Sequence, residues 1–146
     1  MTDPDADAGS DPGAGSDDAA TVPVVTDGAP RNDNPYSQGV RAGDTLYVSG
    51  YGPVDPATDE RVPGNVRAQT GRVLDNVAAV VEAAGGDGLD DVVKVTVYLT
   101  DLDEYGAVNE AYGARFGDDP PARVCVEVSR LPDDVSVEMD AVAYLG

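Results

Sequence analysis

Three stretches in the second half of the chain alternate apolar and polar side chains with a period of two. Val93, Val95, Val97 and Leu99 interleave with Lys94, Thr96 and Tyr98. Val124, Val126 and Val128 interleave with Arg123, Cys125 and Glu127. Val135, Val137, Met139, Ala141 and Ala143 interleave with Ser136, Glu138 and Asp140. That period belongs to a strand with one face buried and one face turned elsewhere. A helix would smear such residues around its whole circumference, so the chain must build a sheet.

Two other stretches follow the helical period. Val66, Val73, Leu74, Val77, Val80, Val81 and Ala84 fall on one face, with Asn65 as N-cap and Gly85-Gly86 as terminator. Tyr105, Val108, Tyr112 and Phe116 form a second stripe behind Asp101 or Asp103 as cap. Gly106 and Gly113 weaken that helix by about 1 kcal/mol each relative to Ala, so packing must hold it. Upstream, Gly39–Arg41 and Thr45–Ser49 flank Ala42-Gly43-Asp44 as a hairpin, and Gly52–Gly64 reads as loop. The order is β-β-α-β-α-β-β, an α+β chain whose mixed β-sheet carries two helices packed on one face. Residues 1–33 hold eight acids and one Arg, and MTDPDADAGSDPGAGSDDAA has no large apolar side chain after Met1. They read as a disordered acidic tail, and residues 34–146 as the folded domain.

Composition excludes several chemistries. The 146 residues include no His, one Cys and no Trp. A catalytic His is out, along with Ser–His and Cys–His nucleophile pairs and His-based zinc sites. Cys125 alone closes no intrachain disulfide. The spaced aspartates of the tail lack the bidentate Glu of a calcium loop. No apolar run approaches the roughly 20 residues that cross a bilayer, and MTDPDADAGS has neither the basic nor the apolar region of a secretory leader, so a cytoplasmic location is expected. With 28 acids against 9 bases the net charge is -19, which repels nucleic acid and anionic membranes. An acidic partner-binding surface and adaptation to concentrated salt both fit; acids spread along the whole chain favour the second, a halophile's protein.

The polar sides of the last two strands, Arg123, Cys125, Glu127, Ser136, Glu138 and Asp140, read as one second face of the sheet. It is either a solvated surface or a face that meets a ligand or a subunit. An Arg there could grip a carboxylate through two parallel hydrogen bonds. In concentrated salt the Debye length falls to about 3 Å, so such an Arg must sit in an enclosed cleft and act by contact.

Several blocks match a known family in order and spacing. They are Asn34-Pro35-Tyr36-Ser37-Gln38, Leu46-Tyr47-Val48-Ser49-Gly50, Leu74-Asp75-Asn76-Val77, Glu82-Ala83-Ala84-Gly85 and the strand Val93–Leu99 with Asp101-Leu102. Pro121-Ala122-Arg123-Val124-Cys125-Val126-Glu127-Val128, then Leu131-Pro132 and Val137-Glu138-Met139-Asp140-Ala141, complete them. From about Asn34 to Gly146 the chain resembles the RidA/YjgF family of reactive intermediate (imine/enamine) deaminases.

The resemblance implies a chorismate-mutase-like fold and a homotrimer with clefts at the subunit interfaces. It implies hydrolysis of 2-imino or 2-enamino acids, such as 2-iminobutanoate and 2-iminopropanoate, to 2-oxo acids and ammonia, without metal or cofactor. By position, Arg123 would bind the substrate carboxylate and Glu138, on the neighbouring strand, would orient or activate water. Cys125 would line the pocket and offer its backbone amide. Tyr36 would close the pocket, while Ser49 and Asn109 would hydrogen-bond the substrate or shape the rim. Asn34, Tyr51 and the short turn Gly117-Asp118-Asp119-Pro120 depart from the family pattern near the cleft mouth, which bears on the substrate side chain. The alternative is a non-enzymatic trimer that binds a small carboxylate or a regulatory partner; it would need Arg123 but not Glu138. Ribonuclease activity, claimed for some relatives, is opposed by the acidic charge and the missing His. Chorismate mutase shares the fold without these motif blocks.

Overall fold

The structure, a computed structural model, describes residues 20–146. Among these residues, eight strands and two α-helices follow one another. β1 (Thr21–Val24), β2 (Gly39–Ala42) and β3 (Thr45–Tyr51) precede a small hairpin of β4 (Val54–Asp55) and β5 (Glu60–Arg61). Then come α1 (Val66–Ala83), β6 (Val92–Leu99), α2 (Tyr105–Gly113), β7 (Ala122–Glu127) and β8 (Val137–Tyr144). The main sheet runs β1-β2-β3-β8-β6-β7, antiparallel except for the β6–β7 pair. The fold is thus α+β with a mixed sheet and two helices.

α1 starts where Asn65 accepts a hydrogen bond from the Ala68 amide at 3.1 Å. It ends where Gly85 takes a φ of 97° and Gly86 donates to the Val81 carbonyl at 2.9 Å, a left-handed stop that glycine accepts without strain. Its inward stripe of Val73, Leu74, Val77, Val80 and Val81 is fully buried against Leu46, Val48, Met139 and Ala141 of the sheet. Asn76 on the same helix is also buried. It donates to the carbonyls of Gly52 and Val54 at 3.1 and 2.9 Å and accepts from Arg72 at 2.8 Å. The base of the β4–β5 hairpin is thereby tied to α1. The hairpin's tip closes on itself, with Ala57 and Asp59 donating to the Asp55 side chain and carbonyl.

Three features differ from the sequence reading. First, the folded unit begins before Asn34. β1 lies inside the stretch read as tail and pairs with β2, Val24 opposite Gly39. Four residues interrupted by Pro23 leave too little pattern to see, and a proline that cannot donate is tolerated because β1 is an edge strand. Residues 26–30 are held by buried Gln38, which accepts from the Thr26 amide at 2.8 Å and donates to the carbonyls of Thr26, Ala29 and Pro30. The remainder of that tail, residues 1–19, lies outside the described residues. Second, Gly52–Gly64 is not all loop, because it contains β4 and β5. Third, Val93 leaves the apolar row. The β6–β8 register shifts between Val92 and Lys94, so Val92 is buried while Val93 is 48% exposed. One extra residue in a bulge reverses the alternation on its far side.

No helix among the described residues is long and apolar enough to cross a membrane. Replacing Gln38 with Met keeps the volume and leaves buried carbonyls without donors. Urea denaturation should show a loss of about 2–3 kcal/mol, the penalty of orphaning buried polar groups.

Candidate active site

Residues opposite one another in register point to the same side of a sheet. Met139 and Val97 are paired and both fully buried under the helices, as are Val137 and Leu99. The next strand places Arg123 beside Val95, Cys125 beside Val97 and Glu127 beside Leu99. These three side chains therefore belong to the helix-covered face. Glu138 pairs with Tyr98 and Asp140 with Thr96, on the opposite, open face. The expectation that Arg123, Cys125 and Glu127 share one face with Glu138 and Asp140 is corrected. So is the expectation that Glu138 sits on the strand beside Arg123, since β6 lies between β7 and β8. The physical reason is the crossover. α2 returns the chain parallel to β6 at the sheet's edge, and β8 then inserts antiparallel between β3 and β6.

The six residues singled out from the sequence fall into two groups. Tyr36, Ser49 and Glu138 line one cleft of ≈ 690 Å³ beside the β3–β8 junction, together with Gly50 and Tyr51. Its floor is shaped by a register shift between Val48 and Tyr51, where Ser49 and Gly50 together oppose Asp140. A Cβ on Gly50 would stand 2.5 Å from a Glu138 carboxylate oxygen, so only glycine lets that carboxylate lie against the bulge. The Ser49 hydroxyl donates to the Ser37 carbonyl at 2.6 Å and the Ser49 amide to the Gln38 carbonyl at 3.1 Å. Ser49 thus fastens the segment that carries Tyr36, whose phenol oxygen accepts from Asn32 at 3.2 Å.

Glu138 is half-buried, and burial raises its carboxyl above the usual range, assisted by the charges of Asp140 and Asp133. Asp140 accepts from the Tyr98 phenol at 3.0 Å. Asp133 belongs to the turn before β8, where Asp133 and Asp134 both hold left-handed backbone, φ 62° and 56°. Arg61 of β5 donates to both their carbonyls, at 3.3 and 2.8 Å, and fixes that turn at the cleft's rim.

The second group is Arg123, Cys125 and Asn109, at the β7 edge under α2. The Arg123 guanidinium lies 4.8 Å from the Tyr112 ring centre and 5.6 Å from that of Tyr105, and its Nη2 donates to the Tyr105 phenol at 3.1 Å. Such contacts steady the guanidinium and leave its N–H groups not bonded to Tyr105 open to a planar anion. Asn109 lies between the two tyrosines in the helical period, and its Oδ1 is buried without a partner, as is the Tyr112 phenol. Burial pushes the Tyr112 phenol up to about 12 despite the Arg123 charge. Burial also raises the Cys125 thiol, again against Arg123, so the sulfur stays protonated and packs rather than attacks. Glu127 accepts from the Leu102 amide at 2.8 Å, a structural contact at the turn leading into α2. Arg31, Arg41, Arg67 and Arg115 each pair with an acid, whereas no carboxylate lies within ion-pair reach of Arg123 among the described residues.

The Tyr105–Arg123–Tyr112 stack and the Gly50–Glu138 contact were missed in the sequence. The tyrosines read there as core stripe; the signal that separates them is a phenol on each at a spacing of seven, flanking Asn109. No group of three or more metal-ligating side chains occurs among the described residues.

The family model described as Endoribonuclease L-PSP matches residues 26–145. The chain belongs to this family, that of the RidA/YjgF proteins. A RutC family protein of Pyrococcus abyssi is 50% identical over 121 residues, 83% of this chain and 94% of that protein. The 2-iminobutanoate/2-iminopropanoate deaminase of Escherichia coli K12 is 47% identical over 123 residues, 82% and 94% of the two chains. Among solved structures, the E. coli YjgF gene product superposes with a TM-score of 0.80 at 45% identity, covering 84% of this chain and 98% of that one. E. coli TdcF with bound serine does so with 0.81 at 40% identity, covering 86% and 99%.

Because Glu138 is held above its unfolded pKa, the folded state binds its proton more tightly. Stability contributed by that proton is present at low pH and is lost as pH rises toward the folded value. Glu138→Gln should therefore raise the melting temperature at pH 7, with the gain shrinking as the pH falls through the carboxylate range in thermal melts.

Proposed function

We propose that this protein hydrolyses 2-imino and 2-enamino acids, such as 2-iminobutanoate and 2-iminopropanoate, to 2-oxo acids and ammonia. The site is a cleft built by Arg123 of one protomer and Glu138 of the next in a homotrimer. The observation that carries this reading is Arg123, held between two tyrosines and without an acid partner among the described residues, in a chain with 28 Asp and Glu against 9 bases. A cation left unpaired amid so many carboxylates suits an incoming carboxylate. The names of the E. coli relatives, a deaminase of these imines and a structure holding serine, support the same substrate class.

The sheet stands between Arg123 and Glu138, so one protomer does not bring both to one small molecule. Its open face also exposes Tyr47 on β3 and Val124 and Val126 on β7, apolar side chains flanking the polar residues of β8 and β6 and available to a second and third copy of the chain. Packing the β7 edge of one copy on the open face of another sets Arg123 against the neighbour's cleft.

The chemistry then needs few groups. Arg123 takes the carboxylate with two parallel hydrogen bonds. The backbone amide of Cys125 lines the same edge, and Tyr36 with Ser49 encloses the other. Water adds its oxygen to C2 and one proton passes through Glu138 to the imine nitrogen, giving a carbinolamine. The hydroxyl proton then follows the same route, the C–N bond breaks, and ammonia leaves a 2-oxo acid. A carboxyl with a raised pKa suits a group that accepts and returns a proton near neutrality. A binding protein without catalysis would need Arg123 but not a desolvated acid seated on a glycine bulge. The nuclease activity in the family's description is disfavoured by a net charge of -19 and the lack of His. The acid surplus fits a cytoplasm rich in salt, so assays belong in molar salt.

Arg123→Ala should lower kcat/KM for 2-iminobutanoate generated in situ by about 100-fold or more while circular dichroism stays native. Equal rates for it and the wild type would overturn the assignment. Arg123→Ala and Glu138→Gln, each inactive alone, should restore about a quarter of the wild-type rate when unfolded, mixed in equal amounts and refolded together, because random trimers pair an intact Arg123 with an intact neighbouring Glu138 at that frequency. No recovery in mixed trimers of correct mass would sink the shared cleft.

A further inference from the structure

We propose that the Tyr105 phenol is a further substrate-binding group, donating its proton to the same carboxylate that Arg123 clasps. This rests on the role of Arg123 given under Proposed function. Tyr105 opens α2 and is 42% exposed, unlike Tyr112 two stripe positions later, which is 5% exposed. Arg123 Nη2 donates to the Tyr105 Oη at 3.1 Å. A guanidinium has only donors, so the phenol is the acceptor in that bond and its own proton points away from Arg123. Among the described residues no protein acceptor takes that proton. The result is an exposed O–H beside the edge of a guanidinium whose faces are already covered by rings.

Two donors from different side chains thus converge, with 3.1 Å between Nη2 and Oη. A carboxylate oxygen entering between them replaces the Nη2–Oη bond and accepts from both once the phenol turns its O–H toward it, while its second oxygen takes another guanidinium N–H. A neutral substrate group would leave one donor unmet. The phenol contributes a contact that ions do not screen, which matters for a chain whose acids repel anions at long range. Tyr112 contributes differently: its ring is the closer support under Arg123 and its phenol is buried away from solvent.

Tyr105→Phe keeps the ring beside Arg123 and removes only the O–H. With the full chain in molar salt, the Kd for 2-oxobutanoate by ligand-observed NMR and the KM for 2-iminobutanoate should each rise about 5- to 20-fold, with kcat within about twofold. The same substitution in an Arg123→Lys background separates contact with the ligand from support of the guanidinium. A penalty that persists there confirms the contact. A penalty that vanishes there, or an unchanged Kd in the native background, overturns the proposal. If the wild type binds 2-oxobutanoate through Tyr105 but releases no ammonia from imines, the deaminase reading falls and the carboxylate grip stands. No wild-type binding of 2-oxobutanoate removes both.

Discussion

The pairing of β7 beside β6 governs where every polar side chain of this sheet goes. Val95, Val97 and Leu99 are committed to the core, and a parallel neighbour in register carries its own residues to the same side. Arg123 and Cys125 consequently emerge under α2, at the last strand before solvent. A slip of one residue would turn Arg123 to the open face and thrust Val124 and Val126 beneath the helix. The position of α2 follows from the same geometry, since the helix is the crossover between those two strands and its tyrosines land over the edge that it creates.

The sheet also keeps opposite charges apart. Half of the eight arginines are neutralised close by: Arg67 by Glu110 and Arg115 by Asp75, for instance. Such exposed pairs add little stability, but they use up positive charge. Arg123 and Glu138 escape each other because a layer of backbone lies between them. Had they shared a face within one protomer, a salt bridge would have held the guanidinium and lowered the carboxyl's pKa. Instead the acid rests among Asp140 and Asp133, its affinity for a proton increased, and the base rests on aromatic rings.

Much of the architecture was legible before any coordinates. The Asn65 cap, the α1 stripe and its glycine stop are local signals, and each element forms where its residues ask for it. The alternation in β8 survives intact because both its neighbours are sheet strands and its buried row is uninterrupted. What sequence could not give was non-local. Alternation tells which residues of one strand go together, not which face they share with another strand, so Arg123 and Glu138 were placed together. A bulge at Val93 shifts phase with no change in residue type. β1 is held by its neighbour β2, and the segment after it by Gln38, rather than by any pattern of its own. The phenols around Arg123 are apolar residues to a periodicity argument and polar ones only when their partner is in view.

Asn76 divides the segment between β3 and α1 into two mechanical parts. Its amide rivets Gly52 and Val54 to the long helix, so the inner wall next to Glu138 moves only if α1 moves. Beyond Asp55 the ribbon answers to its own turn and reaches the rest of the molecule through Arg61. Insertions or deletions at the outer end would reshape the mouth of the cleft, while the floor beside Glu138 kept its alignment. The fold thus holds a replaceable collar on a fixed seat, a layout in which the width of the opening can be retailored without disturbing the carboxylate beneath it.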